Sequence, residues 1–253
     1  MKVALLQFDT LAEHREENLA TAERLLGGVE CDLALLPEMF ATGYRIDAEA
    51  IAEPATNSKT LGWMQKVAAQ KDCAVVGTVA VEERGAYYNR MYVCLPDGSH
   101  FHYDKHHLFT FAGEDKHFAA GTERIIVEWR GVNILPLVCY DLRFAAWSYL
   151  AGEVDVILYS AAWAASRIGA WDKLLPARAI ENQAWVVGVN RIGCDPKGTP
   201  HCGHSAAYNY FGESVASCGE GECCKVVDIA PEQIAAYREK FRAWQDADKI
   251  EIK

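Results

Sequence analysis

The sequence predicts an α/β fold in which two mixed sheets face each other and helices cover both outer faces. Three observations carry this. Short, almost wholly apolar runs, such as Val3 to Phe8, Asp32 to Leu36 and Val132 to Val138, read as strands buried on both faces. Segments with helical spacing recur between such runs, the β-α-β order that parallel strands with crossover helices produce. Other strands are joined by tight turns, Pro96-Asp97-Gly98 and Arg130-Gly131 among them, which make hairpins. No repeat, low-complexity tract or linker breaks the series. One domain over residues 1–253 is expected, with residues 245–253 a polar tail.

In chain order, the first strand is followed by a helix between Leu11 and Val29, stopped by Gly27-Gly28. The second strand is closed by Pro37-Glu38. Leu61 to Gln70 is an amphipathic helix, with Leu61, Met64, Val67 and Ala68 inward. Cys73 to Val81, Tyr87 to Leu95 and Ser99 to Asp104 read as strands, and Lys105 to His117 as a loop without period. Ile125 to Trp129 and Val132 to Val138 form a hairpin that ends at Cys139. A helix is expected over Leu142 to Ala151, a strand over Val154 to Ser160, a helix over Gly169 to Gln183 and a strand over Ala184 to Asn190. Cys194 to His204 reads as a loop. A hairpin around Phe211-Gly212-Glu213 follows, then a strand from Cys224 to Ile229. Pro231 to Trp244 closes as a helix with proline in its first turn.

Composition excludes several functions. Of 253 residues, 51% are apolar and 24% charged, enough to bury a core and unlike a disordered chain. The net charge is −10 and no basic stripe is visible, so nucleic-acid binding is not expected. The nine cysteines, odd in number and scattered, suit free thiols in a reducing compartment. The apolar run at the N-terminus reaches Asp9 too soon for a signal peptide or a membrane span, so a cytoplasmic protein without membrane contact is expected. Cys194, His201, Cys202 and His204 lie close together, but without Cys-x-x-Cys or His-Glu-x-x-His spacing, and one loop is a poor tetrahedral cage. Gly-rich phosphate motifs are absent. Neither a metal nor a cofactor is expected.

The candidate chemistry starts at Leu137-Val138-Cys139-Tyr140-Asp141-Leu142-Arg143. A thiol stands where a strand turns into a helix. Backbone N–H groups there would favour a thiolate on Cys139 and could hydrogen-bond an oxyanion beside it. A free cysteine is otherwise a common core residue. A cysteine nucleophile needs a base and oxyanion donors. None of the eight histidines stands at an obvious strand end. Glu38 and Lys105 do, as Cys139 does, and in α/β sheets sites collect at strand ends.

Three segments, Leu36-Pro37-Glu38-Met39-Phe40, Tyr103-Asp104-Lys105-His106-His107-Leu108-Phe109 and Val138-Cys139-Tyr140-Asp141-Leu142-Arg143-Phe144, resemble in order and spacing the signature segments of the nitrilase superfamily of carbon–nitrogen hydrolases. Leu174 to Gln183 and Val189 to Gly193 are similar to it too, and the likeness runs from Lys2 to about Ile229. The resemblance implies a four-layer α-β-β-α sandwich. It implies Cys139 as nucleophile, Glu38 as general base, Lys105 as oxyanion-stabilising cation and Glu114 as the residue that positions Lys105 and the substrate amine. The backbone N–H of Tyr140 would be the second oxyanion donor. Within the superfamily, the segments around Glu38, Glu114 and Cys139 look most like the omega-amidase branch, which hydrolyses the terminal amide of α-keto acid ω-amides such as 2-oxoglutaramate and 2-oxosuccinamate. Another amidase, an N-carbamoylase, a nitrilase or a non-catalytic binding protein on the same fold are the alternatives. Arg143 would hold a substrate carboxylate, and Tyr44 and Trp163 would wall the pocket. The resemblance also implies a homodimer or a higher homo-oligomer. The sequence departs from the pattern at Ala145 and at Ala165, where proline is usual.

Overall fold

The computed structural model describes residues 1–248 and 250. The first part of the chain runs β1 (Lys2–Gln7), α1 (Arg15–Leu26), β2 (Leu33–Leu35), α2 (Ala48–Ile51), β3 (Glu53–Pro54), α3 (Lys59–Lys71), β4 (Ala74–Glu83), β5 (Ala86–Cys94) and β6 (His100–Asp104). After two 3₁₀ turns come β7 (Val127–Trp129), β8 (Val132–Val138), α4 (Ala145–Ser148), β9 (Val156–Ala161), α5 (Ile168–Asn182) and β10 (Trp185–Asn190). The chain then forms β11 (Ile192–Cys194), β12 (Pro200–Cys202), β13 (Ala206–Tyr208), β14 (Ser214–Ser217), β15 (Cys223–Asp228) and α6 (Pro231–Lys240).

One sheet has the order β15-β1-β2-β4-β5-β6, with β3 also on β4; the other has the order β14-β13-β10-β9-β8-β7. Parallel pairs occupy the centre of each: β1 with β2 and β2 with β4, then β8 with β9 and β9 with β10. Strand alternation explains why these segments read as continuous apolar runs. Val3, Leu5, Leu33 and Leu35 pack inward in one cluster with Ile134, Val156 and Leu158 of the opposite sheet. Their neighbours Ala4, Leu6 and Ala34 turn outward onto Ala22 and Leu26 of α1 and Met64 and Val67 of α3. On the other side α5 lies against β10, where a Cβ at Gly188 would stand 2.7 Å from the Trp171 ring. Only glycine permits that approach. Helix, sheet, sheet, helix are thus the four layers expected.

Local chemistry sets the boundaries. Ser58 Oγ accepts the Leu61 N–H at 3.0 Å and starts α3; Asp72, in the left-handed region, ends it. Arg84-Gly85 and Arg130-Gly131 both carry positive φ at each residue, the two-residue turn that matches strand twist. Four expectations need correction. The helix expected over Leu142 to Ala151 is a 3₁₀ turn at Cys139–Arg143 followed by the single turn α4, because Phe144 is extended (φ −110°, ψ 92°) between them. The loop from Cys194 to His204 contains the β11–β12 hairpin. The short α2 and β3 had no signal in the apolar spacing. The C-terminal helix stops at Lys240, where Phe241 turns extended, and Ala243–Asp246 is a 3₁₀ turn. Of the polar tail, residues 249 and 251–253 lie outside the described residues. No helix among the described residues is long and apolar enough to cross a membrane.

Candidate active site

The carboxyl ends of β2, β6, β8 and β9 deliver Glu38, Lys105, Cys139 and Ala162 to one end of the sandwich. There the two sheets are tied together. Ser160 Oγ donates to the Leu36 carbonyl at 2.7 Å, and the Glu38 N–H to the Ala161 carbonyl at 3.3 Å. The Ala162 N–H donates to Glu38 Oε2 at 2.9 Å. Glu38 is therefore fixed by the opposite sheet as well as by its own strand.

Lys105 is fully buried between two fully buried carboxylates. Its Nζ stands 2.9 Å from Glu38 Oε1 and 2.8 Å from Glu114 Oε2. Burial alone would push its pKa down, but Glu114 and Glu38 outweigh that and hold it well above the usual lysine range. Glu114 opens the second of the two 3₁₀ turns in the segment between β6 and β7, and accepts the Phe109 N–H at 2.6 Å. Asn89, on β5, completes the group. Its Nδ2 donates to Glu38 at 2.8 Å and to Glu114 at 3.1 Å.

Cys139 has φ 42°, a left-handed conformation that costs a non-glycine residue about 1–3 kcal/mol and recurs at functional positions. Asp141 supports the turn. It is fully buried, and accepts from Val138 N at 3.0 Å, His107 N at 2.9 Å and Tyr103 Oη at 2.7 Å. Arg178 Nη2 holds the Leu142 carbonyl at 2.8 Å. The first N–H groups of a 3₁₀ turn lack partners within it, and that of Tyr140 is one of them.

The surroundings of the thiol oppose the pull of the turn's N–H groups toward a thiolate. Burial first, and then the Glu38 carboxylate, push the Cys139 pKa well above the usual thiol range, and Lys105 opposes this only in part. The resting group is the protonated thiol. The arrangement can still form a nucleophile if a carboxylate takes the proton as the S–C bond forms.

Cys139 and Lys105 open into a cavity of about 850 Å³ that also meets Tyr44, Tyr140, Arg143 and Trp163. The site residues expected from the sequence thus come together. Glu38 and Glu114 stand behind Lys105. The Lys105 ammonium lies 5.9 Å from the Tyr44 ring centre, and the Arg143 guanidinium 4.9 Å from that of Trp163. Burial, and next Glu114, raise the Tyr44 hydroxyl well above its ordinary range, so it stays a neutral phenol.

Sequence reasoning missed Asn89, Asp141 and Arg167. Asn89 had a signal: a poor strand former inside an apolar strand. Arg167 lines the same cavity, from the turn before α5. The weighed zinc arrangement does not assemble. His201 and Cys202 are consecutive on β12, so their side chains leave opposite faces, and His204 is paired with Asp172 at 3.0 Å. Among the described residues no group of three His, Cys, Asp or Glu side chains is placed to hold a metal ion.

A family model for carbon-nitrogen hydrolase matches residues 2–239. The chain is 41% identical over 254 residues to the omega-amidase YafV of Escherichia coli (strain K12), covering 100% of this chain and 98% of that one. It is 32% identical over 254 residues to the 2-oxoglutaramate amidase of Bacillus subtilis (strain 168), covering 98% and 97%. Among solved structures, XC1258 from Xanthomonas campestris, described as a CN-hydrolase superfamily protein with an arsenic adduct in the active site, superposes with a TM-score of 0.94 at 35% identity, over 100% and 99% of the chains. Nit3 of Saccharomyces cerevisiae shares the fold, with a TM-score of 0.85 at 24% identity over 95% and 94%.

Proposed function

The chain belongs to the carbon–nitrogen hydrolase family, and from that premise we propose that it hydrolyses the terminal amide of a small α-keto acid ω-amide, 2-oxoglutaramate or 2-oxosuccinamate, to the dicarboxylate and ammonia. The enzyme is a hydrolase of carbon–nitrogen bonds; the substrate and the roles below are our reading. The observation that carries the mechanism is the buried ammonium of Lys105 held between Glu38 and Glu114, beside a cysteine in a left-handed turn.

In this reading Glu38 takes the Cys139 proton as sulfur attacks the amide carbon. The developing oxyanion is met by the Lys105 ammonium and the Tyr140 N–H. Glu38 then gives the proton to the leaving nitrogen, and ammonia departs from a thioester. Water, deprotonated by Glu38, attacks the thioester and frees the acid and the thiol. Glu114 supports this as a positioning residue. It neutralises Lys105 in part, so that the ammonium stays protonated without drawing Glu38 wholly to itself. Because the thiol rests protonated, the base has to act in every turnover.

Tyr44 and Trp163 close the walls of the pocket, and Arg143, at the mouth, takes the substrate carboxylate. The test is direct. Purified, freshly reduced protein is incubated with 2-oxoglutaramate, 2-oxosuccinamate, N-carbamoyl amino acids and aliphatic nitriles. Stoichiometric ammonia and dicarboxylate from the ω-amides are expected. Carbon dioxide released with ammonia, or turnover of nitriles alone, would replace this reading.

A further inference from the structure

The guanidinium of Arg167 has no assigned role, and its surroundings give it one. The side chains of all arginines except Arg84, Arg143 and Arg167 reach a carboxylate or a backbone carbonyl; these three have no such partner among the described residues. Arg84 is a surface turn residue. The other two line the cavity that contains Cys139.

Both are held by aromatic rings instead. Arg143 lies 4.9 Å from the Trp163 ring centre. Arg167 lies 5.0 Å from that of Phe109 and 6.0 Å from that of Phe111. Trp163 joins the two, since its Nε1 donates to the Arg167 carbonyl at 2.9 Å. A guanidinium over a ring gains cation–π attraction without spending its N–H donors. Phe111 is 84% exposed, a position that burial does not explain but a platform for Arg167 does.

The acids nearby are already engaged. Glu13 and Asp47 pair with Arg45, Asp195 accepts the N–H groups of Lys197 and Thr199, and Glu38 and Glu114 flank Lys105. On this wall Arg143, Arg167 and Lys197 carry charge without a carboxylate partner among the described residues, against the one carboxylate, Asp195, that is held by backbone N–H groups alone.

We propose that Arg167 is a second anion anchor, which with Arg143 grips the planar oxo-carboxylate end of the substrate and so selects α-keto acid amides. The proposal rests on the α-keto acid ω-amide reading above. The carboxylate and neighbouring keto oxygen of such a substrate form one flat, acceptor-only edge, and a guanidinium edge is donor-only. An α-amino acid amide places an ammonium where the keto oxygen stood, facing two cations. Arg143 and Arg167 thus favour 2-oxoglutaramate and disfavour glutamine.

The experiment compares wild-type enzyme with Arg167→Gln and Arg167→Lys. Turnover is measured with 2-oxoglutaramate and butyramide, and 2-oxoglutarate binding by calorimetry in a Cys139→Ala background. Arg167 makes no ion pair and is partly exposed, and circular dichroism checks that each variant is folded. For Arg167→Gln, Kd for 2-oxoglutarate is expected to rise about 10- to 100-fold, the loss of a charged hydrogen-bonded contact. The ratio of kcat/KM for 2-oxoglutaramate to that for butyramide falls by a similar factor, mainly through KM, and Arg167→Lys restores part of both. An unmoved ratio and Kd, or an equal loss on butyramide, overturns the proposal. If wild-type enzyme turns over butyramide but not 2-oxoglutaramate, the α-keto acid ω-amide reading fails instead, and the anchor with it.

Discussion

Replacing Asn89 by leucine removes one buried amide that serves two carboxylates. Its Nδ2 lies 2.8 Å from Glu38 and 3.1 Å from Glu114. A hydrogen bond to a charged acceptor contributes about 1.5–3 kcal/mol, so losing both costs roughly 3–6 kcal/mol. Against this, Asn89 Oδ1 has no partner among the described residues, and removing an unsatisfied buried acceptor returns about 1–3 kcal/mol. Leucine keeps the branched heavy-atom skeleton with bulkier methyl ends, so no cavity is left. The balance is a loss of about 2–3 kcal/mol in unfolding free energy. The kinetic effect follows from geometry. Without the amide, Glu38 keeps Ala162 N and Lys105 but loses the contact that holds Oε1 from the β5 side. A misplacement of about 1 Å in a reacting group can cost on the order of 100-fold, so kcat for Asn89→Leu should fall about 10- to 100-fold with little change in KM. Urea unfolding and steady-state ammonia release give the two numbers. A stability loss with unchanged kcat would make Asn89 a packing residue and refute the reasoning; a gain in stability would show that the two charged hydrogen bonds were overvalued.

The thiol of Cys139 should alkylate faster with rising pH through the usual thiol range, with no plateau near neutrality, because its pKa is raised by burial and by Glu38. Iodoacetamide rates from pH 6 to 9 in about half-unit steps test this, and a neutral plateau would mean a resident thiolate. His201, on the cavity wall, is held at a pKa of about 4 by burial and by Arg191. An imidazole in the unfolded chain takes up its proton near pH 6.5, about 2.5 pH units above that value. The unfolded state therefore binds more protons in this window, and the stability is complete above about pH 6.5 and is lost as pH falls toward the folded value. Wild-type protein should lose about 3 kcal/mol more than His201→Gln between those limits, and parallel urea curves for the two would remove His201 from the acid response.

How much of this was legible in the sequence differs by feature. The layers were, because strands buried on both faces must be apolar at every position, as Val3 to Leu6 and Ile134 to Val138 are. The two-residue turns were legible at Arg130-Gly131, where glycine accepts positive φ. The helix after Cys139 was misread because its spacing is helical but Asp141 spends its carboxylate on Val138, His107 and Tyr103, which pins a 3₁₀ turn and leaves Phe144 extended. The Glu38, Lys105 and Cys139 grouping came from the resemblance of three segments to the nitrilase superfamily, which their places at strand ends supported but did not carry. Asn89 gave only its weak strand propensity as a signal, because the sequence does not show that the loops after β2 and β6 bring Glu38 and Glu114 to it. The direction of the thiol's pKa was not legible: burial beside Glu38 is a property of packing, and the turn's N–H groups alone argue the other way.

The central claim is that Cys139 carries the acyl group during turnover. Intact-protein and peptide mass spectrometry of enzyme quenched during turnover of a slow ω-amide measures it directly. The account predicts one acyl adduct per chain, on the peptide containing Cys139, appearing with a burst of ammonia and absent from Cys139→Ala. An adduct on another cysteine, or steady turnover by Cys139→Ala, would contradict it.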